Sequence, residues 1–239
     1  MTVLAALGVF GDALVFVVER RELVLEKTLE HTAISGGALL LALLLALPLG
    51  VALGHLHRGA FVAVNAANLG RALPSLAVIA LGLAFLGFGW ANVVVALVVV
   101  GVPPILTNAY VAVDGADRDA VEAARGMGMT RLQVVLRVEL PLALPLLFAG
   151  IRTAGVFVVA TATIAAIAGG GGLGEIIFNQ ASYRLEGVVG AALVVSLLAF
   201  AFDGAIAFVQ RLLTPPALRA AAPRGAPTLE PEVAAPRPA

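Results

Sequence analysis

The chain has 239 residues, of which 61% are hydrophobic and only 13% charged, with mean hydropathy +1.03. Soluble domains carry about 25% charged residues, so this composition lacks the charge that a hydrated globular surface needs and implies an integral membrane protein. Formal net charge is zero and cysteine is absent, which leaves no basic stripe for nucleic acid, no disulfide and no thiolate-bound metal.

Residues 1–30 form an ambiguous opening. Thr2 to Val18 is apolar, but Gly8, Gly11 and Asp12 interrupt it, and it falls short of the roughly 20 residues of a spanning helix. It lacks both the basic leader region and the cleavage site of a signal peptide. Glu19 to Glu30 alternates charges with Leu23, Val24, Leu25 and Leu29, the pattern of an amphipathic helix lying at the membrane interface. An extra span is the other reading of this opening. From Thr32 to Leu53 there is no charge, so this is the first clear span. The loop after it contains His55 and His57, a spacing that makes a poor metal site for want of a nearby carboxylate.

A second span is expected over Phe61 to Phe88. Pro74 should kink it, and Pro74 and Ser75 are candidates for the wall of a transport path. Val93 to Val113 is the third span, with Pro103 and Pro104 inside it, and Asn108 and Tyr110 near its end are further path candidates. A polar stretch from Asp114 follows, then a fourth span over Leu140 to Ala168, a glycine run, and a fifth span over Val188 to Phe208. Beyond Arg211 the tail is rich in Pro and Ala and is expected to be disordered. The domain plan is therefore an N-terminal segment over 1–30, a membrane domain over 31–213 with a polar hairpin at about 114–140, and a tail over 214–239.

With five spans the two termini lie on opposite sides. One side collects Arg58, Arg118, Arg125, Arg131, Arg137 and Arg211, and the positive-inside rule makes that side cytoplasmic. The N-terminus is then outside and the C-terminus inside. Two ionisable groups fall within spans. Arg152 lies 11 residues after Pro141 and Asp203 lies 8 before Arg211, giving depths of about 16 and 12 Å at 1.5 Å per residue. These depths predict an Arg152–Asp203 ion pair between the fourth and fifth spans. The run Gly169 to Gly174 fits the G-x-G-x-x-G spacing, but no strand precedes it, so a dinucleotide site is rejected. Gly169, Gly170, Gly171, Gly172 and Gly174 read instead as a backbone break, part of an outer gate or a seat for an external protein, or else as a plain loop.

The polar hairpin carries nine of the charged residues, among them Asp117, Glu122, Arg125 and Glu139. In it, Glu122-Ala123-Ala124 is followed after three residues by Gly128, and nine residues later by Val138, Glu139 and Leu140-Pro141. This resembles the cytoplasmic loop of ABC-importer permeases, written E-A-A, three residues, Gly, nine residues, Ile, one residue, Leu-Pro, with valine standing for isoleucine. The resemblance implies an all-α membrane domain of the type I importer kind, with a methionine-permease-like five-helix core. It also implies that a short helix bearing Glu122, Ala123, Ala124, Gly126 and Gly128, backed by Leu140 and Pro141, docks on a separate ATPase. Ala120, Ala123 and Ala124 read as a small-residue side open to close approach. Lys27 is the only lysine and has no glycine-rich loop, so the chain is no P-loop ATPase.

ALPSLAVIAL (72–81), PPILTNAYVAV (103–113), GIRTA (150–154) and TIAAIAGGGGLGEIIF (163–178) resemble the osmoprotectant branch, the permeases for glycine betaine, carnitine and choline. Methionine permeases share the glycine run and the hairpin, so a permease for methionine or another amino acid is the alternative, and an ion-coupled secondary transporter is a more distant one. The resemblance implies two ATPase subunits that carry ATP and magnesium, a second permease copy or paralogue, and an external binding protein. It implies a multi-pass protein of a bacterial or archaeal inner membrane, with no catalytic residue, no metal and no cofactor in this chain.

Overall fold

The computed structural model describes residues 3–72 and 74–216, all of them helix or connecting loop. The helices are α1 (Val3–Glu19), α2 (Arg21–His55), α3 (Ala60–Ala72), α4 (Ser75–Leu86), α5 (Trp90–Asp114), α6 (Arg118–Gly126), α7 (Arg131–Val134), α8 (Leu140–Ala165), α9 (Leu173–Phe178) and α10 (Gln180–Leu213). A π-helical turn, Val135–Glu139, joins α7 to α8, so that Arg131–Ala168 runs as one rod of 38 residues. Among the described residues, four helices are long and apolar enough to cross a membrane: α2, α5, the α7–α8 rod and α10.

The central layer is α5, flanked by α2 and α8; α10 packs on α8, and α1 on α10. Small residues set these crossings, because lipid offers no hydrophobic drive between helices and close backbone approach must supply the attraction. On α2 every fourth residue from Ala38 through Ala42, Ala46 and Gly50 to Gly54 is buried. A Cβ placed on Gly50 would sit 2.6 Å from Ala109 Cβ, and one on Gly54 would sit 2.8 Å from Tyr110 O, so this stripe meets α5 at contact distance. On α8, a Cβ at Gly150 would fall 2.5 Å from Asn108 Cβ and 2.7 Å from Pro104 O. Gly150→Leu is therefore expected to force α5 and α8 apart at a cost of about 1–3 kcal/mol, seen as a lower unfolding midpoint in detergent.

Two expectations change. The second span is not one kinked helix: α3 and α4, of 13 and 12 residues, meet at a break next to Pro74. Pro74 is extended (φ −64°, ψ 121°) and caps α4; proline has no N–H to continue a helix and biases its predecessor away from helical angles. Each piece is only about 20 Å long, too short to cross the roughly 30 Å hydrocarbon core alone. Second, Glu19 to Glu30 is not a separate interfacial helix: Glu19 ends α1, and residues 21–30 belong to α2. They form the first turns of α2, whose 35 residues reach about 52 Å. The break lies at Arg20, which is non-helical (φ −103°, ψ 29°).

α1 folds back along α10. Ala13 and Phe16 close on Gly190, and Phe16 also reaches Gly187 and packs edge-on against Tyr183 with ring centroids 6.2 Å apart. Earlier α1 residues thus meet later α10 residues, and the two helices run antiparallel. The expected tail beyond residue 216 lies outside the described residues.

Candidate functional site: the hairpin and the two ends of the bundle

The chain from Asp114 to Pro141 builds a compact hairpin. Asp117 starts α6 as its N-cap, with Oδ1 accepting from Asp119 N at 2.9 Å and from Ala120 N at 3.3 Å. Such a cap satisfies amides that the first helical turn leaves unbonded. α6 ends at Gly126 with Met127 as its C-cap, and Gly128 takes φ +81°, the left-handed conformation that glycine adopts without penalty after a helix. Thr130 then opens α7 with a capping box: its Oγ1 accepts from Gln133 N, and Gln133 Oε1 accepts from Thr130 N at 2.8 Å. Pro141 sits in the first turn of α8.

Val121 and Ala124 turn inward onto Val134, with Ala116, Met129 and Val138 around them. Glu122, Ala123, Arg125 and Gly126 are exposed. This corrects one expectation: Ala124, 1% exposed, belongs to the hairpin's own core, so the exposed residues of α6 include Glu122, Ala123, Arg125 and Gly126 but not Ala124, and Met127 at 71% exposure follows them. A nine-residue helix must anchor one stripe on its own protein to hold its shape, and the two inward residues are that stripe.

The hairpin is tied to the end of α2 by contacts that sequence reasoning missed. His55 Nδ1 lies 2.9 and 2.8 Å from the two oxygens of Glu139, which is 2% exposed. His57 Nδ1 lies 2.8 Å from Asp114 Oδ1. The expectation that these histidines have no carboxylate nearby is therefore overturned. Each has its own acid, and among the described residues no group of three metal-binding side chains converges.

At the opposite end of the bundle, α8 closes in a tight turn (Ala166–Ala168) and the glycine run leads into α9. Gly169, Gly171 and Gly172 all have φ between 72° and 82°, which a side chain would strain. The run is held in place: Glu30 Oε2 accepts from Gly172 N at 2.9 Å, and Lys27 Nζ bridges Glu30 (2.9 Å) and Glu175 (2.7 Å). His31 Nε2 lies 3.0 Å from Val159 O. Gly89 N donates to Ala168 O at 2.9 Å, which brings the start of α5 to the same place. Removing the carboxylate with Glu30→Ala costs a charge-assisted hydrogen bond of about 1.5–3 kcal/mol, so amide exchange at 170–172 is expected to rise about tenfold or more, as read by hydrogen-exchange mass spectrometry.

The remaining path candidates are not gathered in one place. Pro74 and Ser75 lie at the α3–α4 break, whereas the glycine run meets Phe88 and Gly89 in the connection from α4 to α5. Asn108 Nδ2 donates to Pro104 O at 2.8 Å, beside Gly150. Arg152 and Asp203 are brought together: Nε to Oδ1 and Nη2 to Oδ2 are both 2.7 Å, a bidentate pair joining α8 to α10. The pair lines a shallow groove with Ala149, Thr153, Val156 and Phe157.

Four long apolar rods, the broken α3–α4 pair and a capped polar hairpin define a multi-pass membrane protein. Residues 38–215 match the model of the binding-protein-dependent transport system inner membrane component family. The chain belongs to that family, and is a membrane component of an importer of this kind. It is 42% identical over 192 residues to the choline transport system permease protein OpuBB of Bacillus subtilis (strain 168), covering 80% of this chain and 88% of the relative. It is 40% identical over 196 residues to the glycine betaine/carnitine/choline transport system permease protein OpuCB of the same organism, covering 82% and 90%. To the carnitine transport permease protein OpuCB of Listeria monocytogenes it is 37% identical over 212 residues, covering 88% and 97%. Among solved structures, an inward-facing form of the MetNI methionine ABC transporter aligns with a TM-score of 0.69 at 24% identity, over 82% of this chain and 98% of that one. The type I importer fold is thereby shared.

Proposed function

We propose that this chain forms the translocation path of an ATP-driven importer for a small osmoprotectant of the quaternary-amine class, such as choline, glycine betaine or carnitine. The observation that carries the solute class is the 37–42% identity, over 80–88% of the chain, to permeases named for these solutes. The hairpin faces the cytoplasm, because its arginines and Arg58 gather at one end of the bundle. There Glu122, Ala123 and Gly126 dock on an ATPase subunit, which holds ATP and magnesium. Two such subunits, a second permease copy or close paralogue, and an external binding protein complete the assembly. The glycine run lies at the external mouth, where the Glu30 contact to Gly172 fixes the outer gate.

Solute selection belongs to the binding protein. A cage for a quaternary ammonium needs several aromatic faces around one point. Here Trp90 and Tyr110 sit 20 residues apart on α5, about 30 Å, while Tyr183 packs on Phe16. The methionine reading rests on fold likeness at 24% identity and is the weaker one.

The test is uptake into proteoliposomes carrying the permease with its ATPase and binding protein. Labelled choline, glycine betaine or carnitine is expected to enter only when ATP is supplied. Uptake without ATP overturns the mechanism, and uptake of methionine alone overturns the solute class.

A further inference from the structure

At the hairpin end, the loop that closes α2 and the turn that follows α6 enclose a cleft of about 560 Å³, lined among others by His55, Leu56, Arg58, Arg125, Met129 and Arg131. Three guanidinium groups line one concavity, and none of Arg58, Arg125 and Arg131 has an ion-pair partner among the described residues. The carboxylates at the base of the hairpin are already engaged, Glu139 by His55 and Asp114 by His57. Gathered cations without counter-charge repel one another, and an anion in their midst relieves that repulsion.

Position narrows the anion. The cleft begins just beyond Leu53, where the uncharged run of α2 stops. Leu56 is 54% exposed on its wall, and the same α7–π segment that bears Arg131 exposes Leu132 (66%) and Leu136 (55%). Arginine beside exposed leucine at the boundary of a span suits a surface that meets headgroups and the first acyl methylenes together. Basic pockets on the cytoplasmic side of helix bundles are suited to phosphate headgroups, and the planar guanidinium matches phosphate oxygens two at a time. An acidic loop of an ATPase would satisfy the cations but not the leucines.

We propose that this cleft is a binding site for the phosphate of an anionic phospholipid headgroup, with Arg58 and Arg131 clasping the phosphate, Arg125 closing the site from α6, and Leu56 and Met129 against the glycerol and upper chain. The inference rests on the membrane placement given above, but not on the solute or on ATP coupling.

The experiment uses the full chain purified in non-ionic detergent, supplied with equal parts phosphatidylglycerol and phosphatidylcholine and read by native mass spectrometry. Retention of phosphatidylglycerol over phosphatidylcholine is expected. Arg58→Gln and Arg131→Gln should each lower it about fivefold. Arg58→Lys should retain most of it, and Arg137→Gln, outside the cleft, should leave it unchanged. Equal retention of the two lipids, or the same loss from Arg137→Gln as from Arg131→Gln, overturns the proposal. So does binding of inorganic phosphate at millimolar concentration without lipid retention, which assigns the cleft to a free anion. Loss of ATPase co-purification in Arg58→Gln with lipid retention unchanged likewise overturns it in favour of a protein partner. ATP-driven uptake is assayed separately on the same variants, so a failure of the lipid site and a failure of the transport reading are told apart.

Discussion

Glu122→Ala is expected to reduce co-purification of the ATPase subunit about thirtyfold and to abolish ATP-driven uptake, while the membrane fold survives. Glu122 is exposed on the open side of α6 and makes no hydrogen bond or ion pair among the described residues. Its loss therefore leaves no orphaned partner within the chain, and alanine is the best helix former. What α6 needs for its own shape comes from other residues: the Asp117 cap, the left-handed Gly128, and the Val121 and Ala124 stripe. An interface anchor of this kind is worth about 2 kcal/mol or more, the origin of the thirtyfold figure. Pull-down of the ATPase, with thermal unfolding of the permease alone as the control, reads the two effects separately. Normal assembly and transport in Glu122→Ala would remove the hairpin from the mechanism.

Asp203→Asn is expected to give the largest loss of stability of any single substitution in the spans. Arg152 and Asp203 face each other through two contacts of 2.7 Å, with side chains 40% and 29% exposed in the isolated chain. In a membrane that exposure meets lipid or a neighbouring subunit rather than bulk water. Neutralising the aspartate strands a guanidinium within the hydrocarbon, at about 2.5–3.5 kcal/mol on insertion scales. Arg152→Leu strands the carboxylate in the same way. The double variant Arg152→Leu/Asp203→Leu removes both charges and should recover most of the loss, as an apolar pair can replace a buried ion pair with little penalty. Detergent unfolding midpoints for the parent chain, Arg152→Leu, Asp203→Leu and the double variant measure the coupling, and additivity of the two single losses would show that the pair does not act as a unit.

Much of this molecule was legible from local pattern. The uncharged runs located α5, the α8 rod and α10, because the hydrocarbon core admits only long apolar helices. Asp117, Gly128 and Pro141 marked where α6 begins and ends and where α8 starts, since capping and left-handed turns depend on single residue types a few positions apart. The depths of Arg152 and Asp203 could be counted from the helix ends, because the rise per residue is fixed.

What pattern alone could not supply is the lateral order of the rods and the side each presents. The Glu30 contact to Gly172 joins residues 142 apart, and the His55 contact to Glu139 joins residues 84 apart. Neither spacing leaves a periodic trace. Residues 21–30 read as a separate interfacial helix because their charges alternate, yet those charges serve α2 by pinning the glycine run beyond the bundle. Ala124 looked like part of an open face because all small residues look alike in a string, and only the packing of α6 on Val134 turns it inward. The sequence by itself determined the long apolar helices α5, α8 and α10 and the caps of the polar hairpin, since each depends on neighbours within one or two turns. The tertiary structure decided which acids His55 and His57 meet and which three arginines share one cleft without an ion-pair partner among the described residues, since these follow from where the small-residue stripes let rigid helices cross.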